Sequence, residues 1–290
     1  TSNGWSKIDE HFLTPLQCID MTKKMCQLGG VIIDGSQPTQ DSFITQGVRI
    51  SAIIPPCIDE AVGAVFSIRK QKNNVITKQQ LIDWDTATEE ELDLLTLCIS
   101  HGVSIGIAGS TGSGKTTDIG FILRSIPYDK RIYSIEDSRE LNLQVKDENG
   151  KILNRVIHTK TRPSQNTAQN VSADVLLKKS LRFDPQIIVP AEMRGEEAMT
   201  AQEAGRTGHT IITSLHASTA LAAYTRILTM CMMSGTKLSE ELMLKLIIEA
   251  YPIMAFKMQL PDKSRKYMKI IEAEDYRDGE IIYRTLYKYV

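Results

Sequence analysis

The chain has 290 residues, enough for one large domain or two modest ones, and at 42% hydrophobic it can bury a core. A formal net charge of −1, with the two signs mixed, argues against nonspecific nucleic-acid binding by the chain as a whole and leaves only a local basic channel open. The five cysteines, Cys18, Cys26, Cys57, Cys98 and Cys231, are odd in number, widely spaced and free of any C-x-x-C pair. They argue against a disulfide framework or a zinc site and fit a reducing compartment. No apolar run approaches the roughly 18 residues needed to span a bilayer, and no signal peptide is visible. The expected location is the cytoplasm, peripheral at the inner face of the membrane through partners. The chain begins Thr1-Ser2-Asn3-Gly4 rather than with Met, as a truncated start would.

In chain order, Leu16 to Leu28 carries Leu16, Ile19, Met25 and Leu28 at helical spacing, with Cys26 beside them and Gly29-Gly30 as the stop. Val31 to Asp34 reads as a short strand and Gly35 to Gln40 as a turn. Gln46 to Ile54 reads as a strand stopped by Pro55-Pro56, and Gly63 to Ile68 as another. These make a small α+β domain over residues 1–72. The polar stretch Gln71 to Thr77 reads as a linker into a larger domain, 73–290. Thr88-Glu89-Glu90-Glu91 is a capping-box pattern, and the helix after it puts Leu92, Leu95 and Ile99 on one face.

Val103 to Ala108 then reads as a buried strand, and Thr116 to Ser125 as a helix. Between them Gly109-Ser110-Thr111-Gly112-Ser113-Gly114-Lys115-Thr116 fits G-x-x-x-x-G-K-[ST] at every fixed position. Three glycines let the backbone curl its N–H groups around an anion, and the following helix start offers more N–H groups and a positive dipole end. Lys115 is expected to reach the β- and γ-phosphates of ATP and the Thr116 hydroxyl to bind Mg²⁺, with Thr117 among the nucleotide-binding residues. The competing reading is a glycine-rich surface loop with a chance lysine.

Strands and helices alternate from there: strands at Arg131 to Ile135, Val156 to Thr159, Ile187 to Val189 and Thr210 to Ser214. The helices are Asn170 to Arg182 (Val171, Val175, Leu176 and Leu181 inward), Glu196 to Ala204, Thr219 to Met233 and Ser239 to Glu249. The tail from Ile253 to Val290 reads as three strands of a small antiparallel sheet. The expected fold is α/β, with a parallel-sheet core and ligands at the carboxyl ends of its strands.

Three polar clusters follow apolar strands. Glu136-Asp137 offers a carboxylate to orient water, or a pair of solvated loop acids. Glu192-Met193-Arg194-Gly195 offers an acid for Mg²⁺ or water, or one that favours a helix dipole. His209 and His216 flank one strand; either is a donor to the γ-phosphate or an ordinary structural histidine. Arg49, Arg69, Arg162 and Arg182 are candidates for neutralising transition-state charge, or surface arginines.

Taken together, Gly109 to Thr116, Ile135-Glu136-Asp137, Leu181-Arg182 through Arg194-Gly195, and Thr207-Gly208-His209 through Leu215-His216-Ala217 resemble the type II/type IV secretion ATPases. In that family the four blocks are Walker A, Asp box, Walker B and His box. Gly47 to Pro56 and Phe66 to Lys70 resemble its conjugation and tight-adherence-pilus branch. The short segment between His209 and His216 is closer to the pilus-retraction branch. The resemblance implies a RecA-like P-loop NTPase domain with a mobile N-terminal domain, homohexameric rings and a membrane platform with coupling proteins as partners. It implies Glu136 or Glu192 at the water and Mg²⁺, His216 near the γ-phosphate, and Arg49 and Arg69 as arginines brought to the phosphates. Pro190-Ala191 departs from the pattern: a proline lacks a ladder N–H, so the strand end before Glu192 is expected to bend or go unpaired.

The leading expectation is an ATP-hydrolysing motor of a secretion, conjugation or pilus system. A nucleic-acid translocating ATPase would want a basic channel bearing aromatics, which a near-neutral chain with 6% aromatics does not display. A nucleotide-gated adaptor with little hydrolysis would not need the acids and histidines.

Overall fold

A computed structural model describes residues 6–45, 47–70, 75–162 and 167–289. Gln46, most of the expected linker and the expected 72/73 boundary lie outside them. The chain forms two compact units, Thr1–Asn73 and Asn74–Val290.

In the first unit, helix α1 (Pro15–Leu28) is opened by Thr14, whose hydroxyl accepts the Gln17 N–H. Three antiparallel strands follow in the order β1-β2-β3: β1 (Thr39–Thr45), β2 (Val48–Ile53) and β3 (Val65–Lys70). The helix buries Cys18, Thr22 and Cys26, a stripe at i, i+4 and i+8, against Ile50, Ala52 and Ile54. Of the residues read at helical spacing, Ile19 and Met25 pack against this core and Cys26 lies in it, while Leu16 and Leu28 near the two ends are exposed. Val31 to Asp34 forms no strand, only a bridge between Asp34 and Gln37, and β1 begins inside the stretch read as a turn.

The second unit starts with α2 (Lys78–Asp83) and α3 (Glu89–Ser100). The capping box before α3 is formed: the Thr88 hydroxyl accepts from Glu91 N at 3.2 Å, and the Glu91 carboxylate accepts from Thr88 N at 2.6 Å. Its expected face, Leu92, Leu95 and Ile99, is fully buried. There follow β4 (Ile105–Gly109), α4 (Lys115–Ser125), β5 (Arg131–Glu136), β6 (Arg155–Lys160), α5 (Ala173–Ser180), β7 (Ile187–Pro190), α6 (Glu197–Arg206), β8 (Thr210–Leu215), α7 (Ala220–Met232), α8 (Glu240–Ala250), β9 (Ile253–Gln259), β10 (Arg265–Arg277) and β11 (Glu280–Lys288).

One eight-stranded sheet runs β11-β10-β9-β4-β8-β7-β5-β6. From β9 to β6 the pairs are parallel; β10 and β11 join antiparallel. The tail strands therefore extend the central sheet instead of forming a small separate one. β4, β7 and β8 are buried along their whole length, as strands covered on both faces must be. Alternate residues feed two cores. Ile105, Ile107, Ile132 and Ile212 meet α2, α3 and α4, while Ala108, Tyr133, Ile188 and Leu215 meet α5 to α8. In α5 the buried residues are Leu177 and Ser180; Val175 and Leu181, expected inward, are exposed because the helix presents the adjoining face to the sheet.

Leu95→Ala should lower the unfolding free energy of the second unit by about 2–5 kcal/mol, the cost of a cavity in a closed core. Leu97→Ala, on the exposed face of the same helix, should stay within about 0.5 kcal/mol. Urea titration of both variants checks the contrast.

Candidate phosphate site at the strand ends

β4 enters the loop at Gly109, where backbone approaches backbone: a methyl on Gly109 would lie 2.0 Å from the Lys257 carbonyl oxygen of β9. Only glycine fits there. Gly112 and Gly114 take φ of 79° and 90°, the left-handed region in which a side chain is strained. Gly114 is also the N-cap of α4, and it supplies no side-chain cap. The first N–H groups of that helix therefore remain available to an anion.

Lys115 is only 7% exposed, and its ammonium donates to the carbonyls of Gly109 (3.0 Å) and Ser110 (2.9 Å). Burial pushes its pKa down, and the nearby Glu192 carboxylate opposes that. The buried Ser113 hydroxyl donates to Ser110 O at 2.8 Å. Arg265 Nε, from the start of β10, donates to Gly112 O at 2.7 Å. Thr116 is half-buried in the first turn of α4 and Thr117 is exposed.

The strand order sets beside the loop the ends of β8, β7 and β5, which carry His216, Glu192 and Glu136. Glu192 is the hub: its carboxylate lies 3.2 Å from His216 Nε2 and 2.6 Å from Arg194 Nη2. Arg194 Nη1 lies 3.2 Å from Asp137 Oδ2, and the Thr161 hydroxyl donates to the other Asp137 oxygen at 2.9 Å. Burial raises the Glu192 pKa, but the hydrogen bond and charge of Arg194, with His216 and Lys115, outweigh it and hold the carboxyl below its usual range.

Glu136 is placed differently. It is 3% exposed, and one oxygen accepts from both Glu140 N and Leu141 N at 2.7 Å. The other lies near Ser134 Oγ (3.4 Å) and His158 Nδ1 (3.7 Å). This carboxylate shapes the loop that follows β5 and faces inward.

Pro190 sits within β7, still opposite Ile135 of β5, and Ala191 N donates to Ile135 O at 2.9 Å. On the β8 side the register stops at Ile188. The Thr213 hydroxyl donates to Pro190 O at 2.6 Å, and backbone bonds resume from Met193 N to Ser214 O. The Pro190 carbonyl is thus satisfied by a side-chain hydroxyl where the β8 register has stopped, and Glu192 is held on both flanks.

The two histidines part company. His216 follows the carboxyl end of β8, whereas His209 precedes its amino end; the strand is six residues long and runs about 20 Å. His209 therefore lies at the end of the sheet away from the loop of its own chain, which corrects its expected place at the nucleotide. Arg182 precedes β7 and shares that far end, while Arg162 follows β6 on the loop side. In the first unit Arg49 and Arg69 are direct partners across β2 and β3. Like charges so opposed disfavour the pairing; Asp41 lies 3.1 Å from Arg49 and offsets it. The sequence marked the Glu192 cluster but gave Arg194 no role. Arg265 and Lys257 carried no signal, since nothing local joins them to the loop.

Among curated proteins the chain is 31% identical over 203 residues to a protein of Methanocaldococcus jannaschii, covering 70% of this chain but 35% of that one. It is 29% identical over 237 residues to the conjugal transfer protein TrbB of Rhizobium radiobacter, covering 80% and 67%. Among solved structures it resembles the ATPase DotB of Legionella pneumophila with a TM-score of 0.61 at 19% identity, covering 90% of this chain and 70% of that one. The last likeness supports the fold. The family model for type II/IV secretion system proteins matches residues 11–255, in which all four motif blocks lie. This chain belongs to the type II/IV secretion system protein family.

Proposed function

We propose that the chain is an ATP-hydrolysing motor subunit that works as a homohexamer and drives a secretion, conjugative-transfer or type IV pilus machine through nucleotide-driven domain motion. One observation carries the reading: a phosphate loop with a buried lysine stands beside a carboxylate and a histidine already joined at 3.2 Å. Family membership, and relatives named for conjugal transfer and type IV secretion, support the wider role. In this reading the partners are a membrane platform and coupling proteins, with no nucleic acid bound directly. Among the described residues no helix is long and apolar enough to cross a membrane, and the motor would sit at the inner face of the cytoplasmic membrane.

Lys115 would exchange the carbonyls of Gly109 and Ser110 for β- and γ-phosphate oxygens. The loop N–H groups and the uncapped start of α4 would hold the rest. Glu192 would orient the attacking water. The hydrogen bond and charge of Arg194, with His216 and Lys115, favour the ionised carboxylate, the form that accepts a hydrogen bond from water. His216 would donate toward the γ-phosphate, and Arg49 and Arg69 would offset its charge. The Thr116 hydroxyl and the Glu192 carboxylate are hard oxygen donors and fit Mg²⁺. When bound, Mg²⁺ would neutralise charge on the phosphates.

Mg²⁺-dependent ATP hydrolysis per protomer should rise with protein concentration as rings assemble, and Lys115→Ala should remove it. Turnover that is absent while nucleotide still binds would favour a nucleotide-gated adaptor. DNA-stimulated turnover would favour a nucleic-acid motor. Glu192→Gln should lower kcat by about 10²-fold or more while ATP binding persists, measured by steady-state kinetics alongside a binding titration.

A further inference from the structure

Behind the phosphate loop, on the side away from the strand-end acids, lies a buried polar group that the motifs do not explain. Asp118, in the first turn of α4, and Lys257, on β9, are both fully buried, and their side chains form an ion pair. The Tyr267 hydroxyl, from β10, donates to the same Asp118 oxygen at 2.6 Å. Burial and the Asp118 charge hold the Tyr267 pKa well above its ordinary value, so it remains the donor. The other Asp118 oxygen has no hydrogen-bond partner among the described residues. Glu91 of α3 and Arg265 of β10 complete the charged surroundings of Lys257.

This group touches the loop at two points. Lys257 is the register partner of Gly109 in the β4–β9 ladder, and its carbonyl is the atom that excludes a side chain there. Its ammonium lies beside Gly114: a methyl on that glycine would stand 3.6 Å from Nζ. The pair therefore spans the loop from the last residue of β4 to the first turn of α4. Apolar side chains would fill such a space at no loss of stability, since buried ion pairs are commonly neutral or unfavourable to folding. An aspartate in the first turn suits a bare helix dipole but opposes a phosphate bound at the same place. A lysine cancels that field.

We propose that Asp118, Lys257 and Tyr267 form a charge-neutral brace behind the phosphate loop. Lys257 is a positioning residue in it, fixing the loop against β9 and cancelling the repulsion that Asp118 would exert on nucleotide phosphates. The inference rests on reading the loop as the nucleotide site.

The test is equilibrium binding of AMP, ADP and ATP to the full chain and its variants, with thermal melts to establish folding. Wild-type binding of ATP is the control: its absence would overturn the nucleotide reading, and the brace with it. Given that binding, Lys257→Met should weaken ATP at least tenfold, ADP less and AMP least, because repulsion grows with phosphate charge. Adding Asp118→Asn to Lys257→Met should restore ATP affinity to within about threefold of wild type. Asp118→Asn alone removes the charge that keeps the buried Lys257 ionised and should leave ATP binding within about threefold of wild type; the double variant, which buries neither charge, carries the test where Lys257→Met fails to fold. A loss equal for AMP and ATP, a double variant more than about threefold weaker than wild type, or an Asp118→Asn variant that loses ATP as Lys257→Met does would overturn the proposal.

Discussion

A buried ammonium must be surrounded by oxygen, and the arrangement around Lys115 follows from that requirement. Its charge cannot be left in the sheet's apolar layer, so the loop folds its own carbonyls of Gly109 and Ser110 onto it. The glycines make that curvature possible, and Glu192, two strands away, supplies the compensating field. The neighbouring strand ends then sort themselves by what they must satisfy. Glu192 is tied to Arg194 and His216, while Glu136 is drawn down onto two backbone N–H groups. Two acids at equivalent ends of parallel strands thus acquire different chemistry from their surroundings alone.

What the sequence made legible was whatever lies within one element and its flanking turn. The phosphate loop, the capping box at Thr88 and the apolar runs of β4, β5, β7 and β8 are local patterns, and the structure reproduces them. Glu192 and His216 were readable because each follows an apolar run on the carboxyl side. His209 was misplaced for the complementary reason: a residue before a strand belongs to the opposite edge of a parallel sheet. Arg194 was missed although Glu192 is only two residues away, whereas Lys257 and Arg265 depend on pairing across long separations. Lys257 meets Asp118 from 139 residues away, and Arg265 meets Gly112 from 153. No periodicity reports such contacts. In α1 the helical spacing of Ile19, Met25 and Cys26 marked residues that do pack, while Leu16 and Leu28 near its two ends stay exposed and Cys18 and Thr22 complete the buried side.

Pro190 shows how the fold accommodates a residue that strands resist. The ladder on the β5 side is kept, and on the other flank the Thr213 hydroxyl donates to the Pro190 carbonyl. The irregularity falls immediately before Glu192, so the last stretch of β7 is attached to β8 partly through side chains.

Of the eight α-helices among the described residues, six begin with a threonine or serine whose hydroxyl accepts from their own first turn. A seventh, α6, has the Glu197 carboxylate accepting from Arg194 N and Gly195 N just before it. Only α4 starts on a bare glycine. An anion would thus meet six helix starts that already hold a hydroxyl oxygen, one, α6, that is uncapped but fronted by a carboxylate, and one, α4, that has neither. Selectivity for where an anion lands is distributed over the whole molecule, written as much in seven closed doors as in the open one.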